Sequence, residues 1–142
     1  MRQFVAKIIL FLVILFLVDT ALGICFQTLV DSAKGGETRR VNYICKQTSE
    51  DLLIFGSSRA LHHYDPLLLE DSLQMSCYNC GKDGNGIILL YGWFKMIQQR
   101  YHPQMIVYDV MPNFDLWKGD NMAYLPGLRY YYGESAVDSI FW

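Results

Sequence analysis

The apolar segment at the amino terminus constrains this chain more than any other feature. Residues 8–18 form an unbroken apolar run and residues 21–26 form a second, and only Asp19 and Thr20 interrupt them. A helix that crosses a bilayer needs about 20 consecutive, mostly apolar residues. The stretch from residue 4 to about residue 30 meets that length, so the sequence predicts one N-terminal transmembrane helix over residues 1–30.

A cleaved signal peptide is the competing interpretation of this segment. Ala21-Leu22-Gly23 has the small residues of a cleavage site, and Arg2 and Lys7 precede the apolar run as a positively charged region would. We favour an uncleaved signal anchor, because the apolar character continues past Gly23 to Phe26.

Charged residues on the two sides of the span give opposing signals for its orientation. Arg2, Lys7 and the terminal amine favour a cytoplasmic amino terminus, whereas Lys34 and the Arg39-Arg40 pair follow the span. With so short a leading segment, we expect a single-pass protein of the inner membrane. Its domain would lie on the periplasmic, extracytoplasmic side.

Composition excludes several classes of function. Hydrophobic residues make up 52% of the 142 residues, too many for a disordered chain. A formal charge of -2 leaves no basic surface for nucleic acid, so no nucleic-acid partner is expected.

Cys77 and Cys80 form a C-x-x-C motif, but no second pair completes a zinc site. No metal and no cofactor are predicted. We interpret the two cysteines either as incidental or as a disulfide. A thiol-redox function that uses both cysteines is a weaker hypothesis.

Short apolar runs alternate with helical patterns after a polar connector. Residues 31–50 are read as a linker, and residues 51–142 as the domain. The predicted strands are 51–56, 75–78 and 105–110, and the predicted helices between them are 66–72 and 87–101. This alternation predicts an α/β fold, a flavodoxin-like three-layer parallel sheet. The sheet is incomplete, because three strands are found where about five are usual.

Unusual residues follow each predicted strand. Ser57-Ser58 follows the first, the glycine-rich segment 79–86 the second, and Pro112-Asn113 the third. The carboxyl ends of parallel strands are where such folds bind ligands. A serine on a sharp strand-to-helix turn is suited to be a nucleophile, and glycine N–H groups with an asparagine amide suit an oxyanion. The pattern favours acyl transfer.

Three blocks, residues 54–58, 79–84 and 106–113, together resemble the SGNH (GDSL-type) hydrolase superfamily, in particular its membrane-anchored members from bacterial cell envelopes. The resemblance implies that Ser58 is the nucleophile. It also implies that the Ser58 backbone N–H, Gly84 and Asn113 stabilise the oxyanion. Three positions depart from the family pattern, where Ser57 replaces an aspartate, Met111 a glycine and Phe114 an aspartate.

The family's catalytic base is the histidine of an Asp-x-x-His motif, and no aspartate in this sequence has histidine three residues later. We therefore expect a C-terminally truncated chain with little or no turnover. Arg59 and His62 are predicted to contact substrate, or Arg59 to pair with a carboxylate such as Asp83. Asp65 is predicted to cap a helix that begins at Pro66.

Two functional hypotheses of different classes follow from these observations. The resemblance implies a serine esterase or O-acyltransferase that acts on acyl esters of cell-envelope glycans or of small molecules. The missing base favours the alternative, a non-catalytic, membrane-tethered binding module with a degenerate hydrolase fold.

Overall fold

The computed structural model describes residues 1–116, 118–122 and 124–141, with the backbone alone at positions 113, 114, 118 and 120. It divides into two compact units, Met1–Arg40 and Val41–Trp142. The elements in chain order are α1 (Arg2–Asp31), α2 (Gly36–Lys46), β1 (Leu52–Gly56), α3 (Ser58–His63), α4 (Pro66–Leu73), β2 (Cys77–Asn79), α5 (Ile87–Gln98), β3 (Met105–Asp109), α6 (Pro112–Asp115), α7 (Lys118–Asn121), α8 (Tyr124–Leu128), a short 3-10 helix (Arg129–Tyr131) and α9 (Ser135–Phe141).

Helix α1 is long and apolar enough to span a membrane, although a signal sequence near the amino terminus has the same properties. Its 30 residues rise about 45 Å, more than the roughly 30 Å of a hydrocarbon core. None of its residues is buried. The hydroxyls of Thr20 and Thr28 donate to the carbonyls of Phe16 and Ile24, each at 2.8 Å. These polar groups are thereby satisfied within the helix, as a bilayer requires.

The predicted parallel sheet is present, with β1 between β2 and β3. Both neighbours run parallel to β1, with Leu52 opposite Cys77 on one side and opposite Met105 on the other. At the far end of β1, Gly56 lies opposite Asp109. The three strands are those expected from the apolar runs, each with slightly different bounds. Their carboxyl ends lie at the same edge of the sheet.

Side chains of β1 alternate between two apolar clusters. Leu53 and Phe55 point into the larger cluster, which contains buried residues of α2, α5 and α9. Leu52 and Ile54 point into the smaller one, with Ala60 of α3 and Cys77 of β2. All five residues of β1 are buried, as expected for the central strand of a parallel sheet covered on both faces. Helices therefore pack on both sides of β1.

Segment 31–50 differs from the predicted linker, because α2 occupies most of it. Ile44 and Cys45 of α2 are fully buried, and Thr48 beyond its end is buried too. Arg100 holds this end in place, since its guanidinium donates to the carbonyls of Ile44, Cys45 and Thr48 at 2.8–3.2 Å. Cations near the last carbonyls of a helix stabilise it. The compact unit accordingly begins at Val41, ten residues before the predicted boundary.

The predicted cap of α4 is confirmed. The Asp65 carboxylate accepts a hydrogen bond from the Leu67 N–H at 2.9 Å, and Pro66 occupies the first helical position. A further helix, α3, precedes α4 and begins directly at Ser58, eight residues before the first helix predicted in the domain from the sequence.

Candidate active site

The turn from β1 to α3 is built around Gly56. Its φ of +150° suits glycine, and an added Cβ would lie 2.7 Å from the Ala60 Cβ and 3.0 Å from that of Asp109. The Gly56 carbonyl accepts a hydrogen bond from the Lys82 N–H at 2.9 Å. The loop after β2 therefore begins directly beside this turn.

The two serines of the turn occupy different environments. Ser57 is buried, and its hydroxyl donates to the Met111 Sδ at 3.6 Å. Ser58 is the first residue of α3 and is only half-buried. Within the described residues, the Ser58 hydroxyl forms no hydrogen bond. Of the two serines, Ser58 is therefore the more accessible at the sheet edge.

Buried Asn79 fixes the glycine-rich loop against α3. Its side-chain amide donates to the carbonyls of Ala60 at 2.8 Å and Tyr64 at 3.0 Å. Its side-chain oxygen accepts from the Gly81 N–H at 2.9 Å. A Cβ on Gly81 would come within 2.6 Å of the Leu61 nitrogen, so glycine is needed for this close approach. This anchoring role for Asn79 was missed in the sequence.

Gly84, the expected oxyanion residue of the loop, is exposed at its outer turn. Its φ is +65°, and an added Cβ would meet nothing within 4 Å. No hydrogen bond among the described residues joins Gly84 to Ser58. The loop makes its close approach to α3 at Gly81, and Gly84 lies three residues further along the loop.

Arg59 pairs with Asp109 and not with Asp83, which corrects one of the expectations from the sequence. The Arg59 Nε lies 2.7 Å from one carboxylate oxygen of Asp109 and its Nη2 contacts the other. The same Nη2 donates to the Val110 carbonyl at 2.9 Å. Hydrogen bonds from Arg59 hold the pKa of Asp109 below its usual range. The pair links α3 to the carboxyl end of β3.

Asp83 instead contacts His62. The His62 Nε2 lies 3.0 Å from one carboxylate oxygen of Asp83 and 3.2 Å from the other. Both side chains are largely exposed, at 60% and 56%. The neighbouring His63 turns its Nδ1 toward the Arg59 carbonyl, at 3.1 Å. The signal in the sequence was weak, because 21 residues separate His62 from Asp83.

The segment after β3 is ordered by Asp115. Its carboxylate accepts from the Tyr108 hydroxyl at 2.7 Å and from the Met111 N–H at 2.8 Å. Burial and the Asp115 carboxylate together raise the pKa of Tyr108. Asn113 lies in α6, so its backbone follows β3 as expected. Its side chain, which the oxyanion prediction concerns, lies outside the described part of the structure.

Cys77 and Cys80 do not form a disulfide with each other. Both are buried, and burial raises the pKa of the Cys77 thiol, which disfavours a reactive thiolate. Among the described residues, no group of three or more His, Cys, Asp or Glu side chains is arranged to hold a metal ion.

Comparison of the chain with protein-family models, with curated proteins and with solved structures finds no match. The assignment of function therefore depends on the site itself.

Proposed function

We propose that this chain is a membrane-anchored serine esterase or O-acyltransferase of the SGNH hydrolase type. The observation that carries the proposal is the placement of Ser58, half-buried at the first position of α3 directly after the central strand. Its hydroxyl is unbonded within the described residues, whereas the hydroxyl of Ser57 is turned inward to Met111. An accessible serine at such a turn is what nucleophilic catalysis requires.

The strand order supports the proposed fold. A flavodoxin-like sheet has the order 2-1-3-4-5, and its ligand site lies between β1 and β3, where the chain connections diverge. The order β2-β1-β3 matches the first three strands of that arrangement. Ser58 follows β1, and the Arg59–Asp109 pair joins α3, the helix after β1, to the carboxyl end of β3 at that point. A three-layer, flavodoxin-like domain is therefore part of the proposal.

In the proposed reaction, the Ser58 Oγ attacks an ester carbonyl. Its proton leaves to a base, and the tetrahedral oxyanion is held by the Ser58 N–H, Gly84 and Asn113. Collapse breaks the ester C–O bond, gives an acyl-serine and releases the alcohol with a proton. Water then completes hydrolysis, or an acceptor hydroxyl completes acyl transfer. The substrate class is acyl esters of cell-envelope glycans or of small molecules.

A covalent serine probe tests this function directly. The full chain in detergent micelles is treated with a fluorophosphonate, which reacts only with activated serines. We expect labelling of the wild type, none of Ser58→Ala, and undiminished labelling of Ser57→Ala. Labelling that survives in Ser58→Ala would contradict the proposal. A wild-type chain that stays unlabelled yet binds an acyl-glycan would support the non-catalytic binding module instead.

The proposed location is the inner membrane, with α1 as a retained single-pass anchor and the domain on the periplasmic side. The mass of the protein recovered from membranes tests retention, because cleavage after Gly23 would remove most of α1. We expect the full mass. A product that begins at Ile24 would identify α1 as a signal peptide.

A further inference from the structure

His62 and Asp83 form an Asp–His contact one helical turn from Ser58. We propose that His62, oriented by Asp83, is the general base that activates Ser58. This inference rests on the proposed function and names the residue that takes the serine proton. It replaces the expectation that the catalytic Asp–His pair is absent, which followed from the lack of an Asp-x-x-His motif and from the position of His62 beyond the serine turn.

The helical spacing of Ser58 and His62 places them on the same face of α3. Residues at positions i and i+4 of a helix have Cβ atoms about 5–6 Å apart. Side chains of a helix also tend to lean toward its amino terminus, which favours an approach of the His62 ring to Ser58. A base needs to reach the hydroxyl at about 3 Å or through one water, and this contact is often longer without substrate.

The contact with Asp83 sets the chemical form of the ring. A carboxylate only accepts hydrogen bonds, so Nε2, which lies 3.0 Å from Asp83, carries the proton in the neutral ring. The Nδ1 atom then has the free lone pair. This is the arrangement of an oriented catalytic histidine, with the roles of the two ring nitrogens exchanged.

The proton transfers balance through both steps. As the Ser58 Oγ forms its bond to the ester carbon, its proton moves to the His62 Nδ1, and Asp83 stabilises the imidazolium. When the ester C–O bond breaks, Nδ1–H gives this proton to the leaving alkoxide. In the second step His62 takes a proton from water or from the acceptor hydroxyl and returns it to the Ser58 Oγ.

His63 provides a matched control on the same helix. It is the adjacent histidine and is also exposed, but its Nδ1 is directed to the Arg59 carbonyl at 3.1 Å. The His63 ring therefore contacts the backbone of its own helix, whereas the His62 ring contacts the carboxylate of Asp83 on the neighbouring loop. A change at His63 alters the histidine content and surface of α3 without altering the proposed base.

The test measures the rate of fluorophosphonate labelling of Ser58 in the full chain, in detergent micelles. We expect His62→Ala to lower the rate roughly 10²–10⁴-fold, the usual contribution of a general base. Added imidazole should restore part of the rate in His62→Ala and leave the wild type unchanged. Asp83→Asn should also lower the rate, by at least about tenfold, and His63→Ala should label like the wild type.

The outcomes separate this inference from the function on which it rests. If Ser58 is labelled at the wild-type rate in His62→Ala, the base lies elsewhere while the serine chemistry stands. A loss in His62→Ala that imidazole does not restore, accompanied by a lower midpoint of unfolding, means a structural role and also overturns the inference. An unlabelled wild type overturns both the proposed function and the role of His62.

Discussion

At Gly56 the turn after β1 packs closely against Ala60 of α3 and Asp109 of β3. The residue has a φ of +150°, which side chains other than hydrogen rarely tolerate. The space for a Cβ is already filled by Ala60 and Asp109. The same two constraints hold the turn that presents Ser58, so the geometry of the candidate nucleophile depends on glycine at this position.

Gly56→Ala should therefore be strongly destabilising. We expect a loss of roughly 2–4 kcal/mol in the free energy of unfolding, from overpacking together with backbone strain. Gly133→Ala is the control, because its φ is +95° but an added Cβ meets nothing within 4 Å, so strain alone costs about 1–2 kcal/mol. Urea unfolding of the full chain in micelles measures both. Equal losses in the two variants would show that close packing at Gly56 is unimportant.

The Arg59–Asp109 pair should make stability depend on pH in the acid range. The pKa of Asp109 is lowered in the folded chain, against about 3.9 when unfolded. A lowered pKa means stabilisation that is present above about pH 4 and is lost as the pH falls through the folded pKa. We expect Asp109→Asn to be less stable than the wild type at pH 7, with the difference shrinking below pH 4. A difference that stays constant with pH would contradict this, and Asp71→Asn, at an exposed position on α4, is the control.

At the scale of single residues, sequence patterns gave the positions of individual side chains but not the residues with which they pair. Ser58 and Asp65 lie where strand-end and capping patterns predict them. The partner of Arg59 was wrongly predicted, since Asp109 is 50 residues away along the chain. Such pairings depend on which strands are neighbours in the sheet and on how far a loop extends. The periodicity of apolar residues along one sequence gives no information on either.

At the scale of elements, long apolar patterns were predictable and short or polar helices were not. The three strands follow from short apolar runs bounded by turn residues. Helix α3 is only six residues long, too short for a periodic pattern to develop. Helix α2 is polar in composition, and its buried residues become recognisable only when Arg100 and α5 are placed beside them.

Asn79 connects β2, the glycine-rich loop and α3, and its loss should loosen all three. Asn79→Ala leaves two carbonyls and one N–H of a buried region without their partner. We expect a loss of about 2–4 kcal/mol in the free energy of unfolding, and slower serine labelling because α3 carries Ser58. Asn85→Ala is the matched control, since within the described part of the chain the Asn85 side chain makes only a local bond to the Asp83 carbonyl, and it should change stability by less than about 0.5 kcal/mol. Equal effects in the two variants would argue against this anchoring role.

At the scale of the molecule, the β3 edge of the sheet is open within the described residues. No strand among the described residues pairs with β3 on its outer side. Met105 and Ile106 are 45% and 43% exposed, although strands of parallel sheets are normally buried. An open apolar hollow of about 140 Å³ adjoins this edge, and it is lined by Phe55, Ile87, Leu90, Tyr91, Phe94, Ile106 and Tyr108.

An open apolar edge strand promotes pairing with other chains, so β3 should drive self-association of the protein. Met105→Lys places a charge on that edge, and we expect it to raise the monomeric fraction in sedimentation experiments on the full chain in micelles. Leu67→Lys is the control for added charge, because Leu67 is 73% exposed but lies on α4 and not on a strand. If both variants raise the monomeric fraction equally, association arises from general surface hydrophobicity. If Met105→Lys alone does so, the β3 edge is the contact, because a second strand can extend the hydrogen bonding of the sheet there.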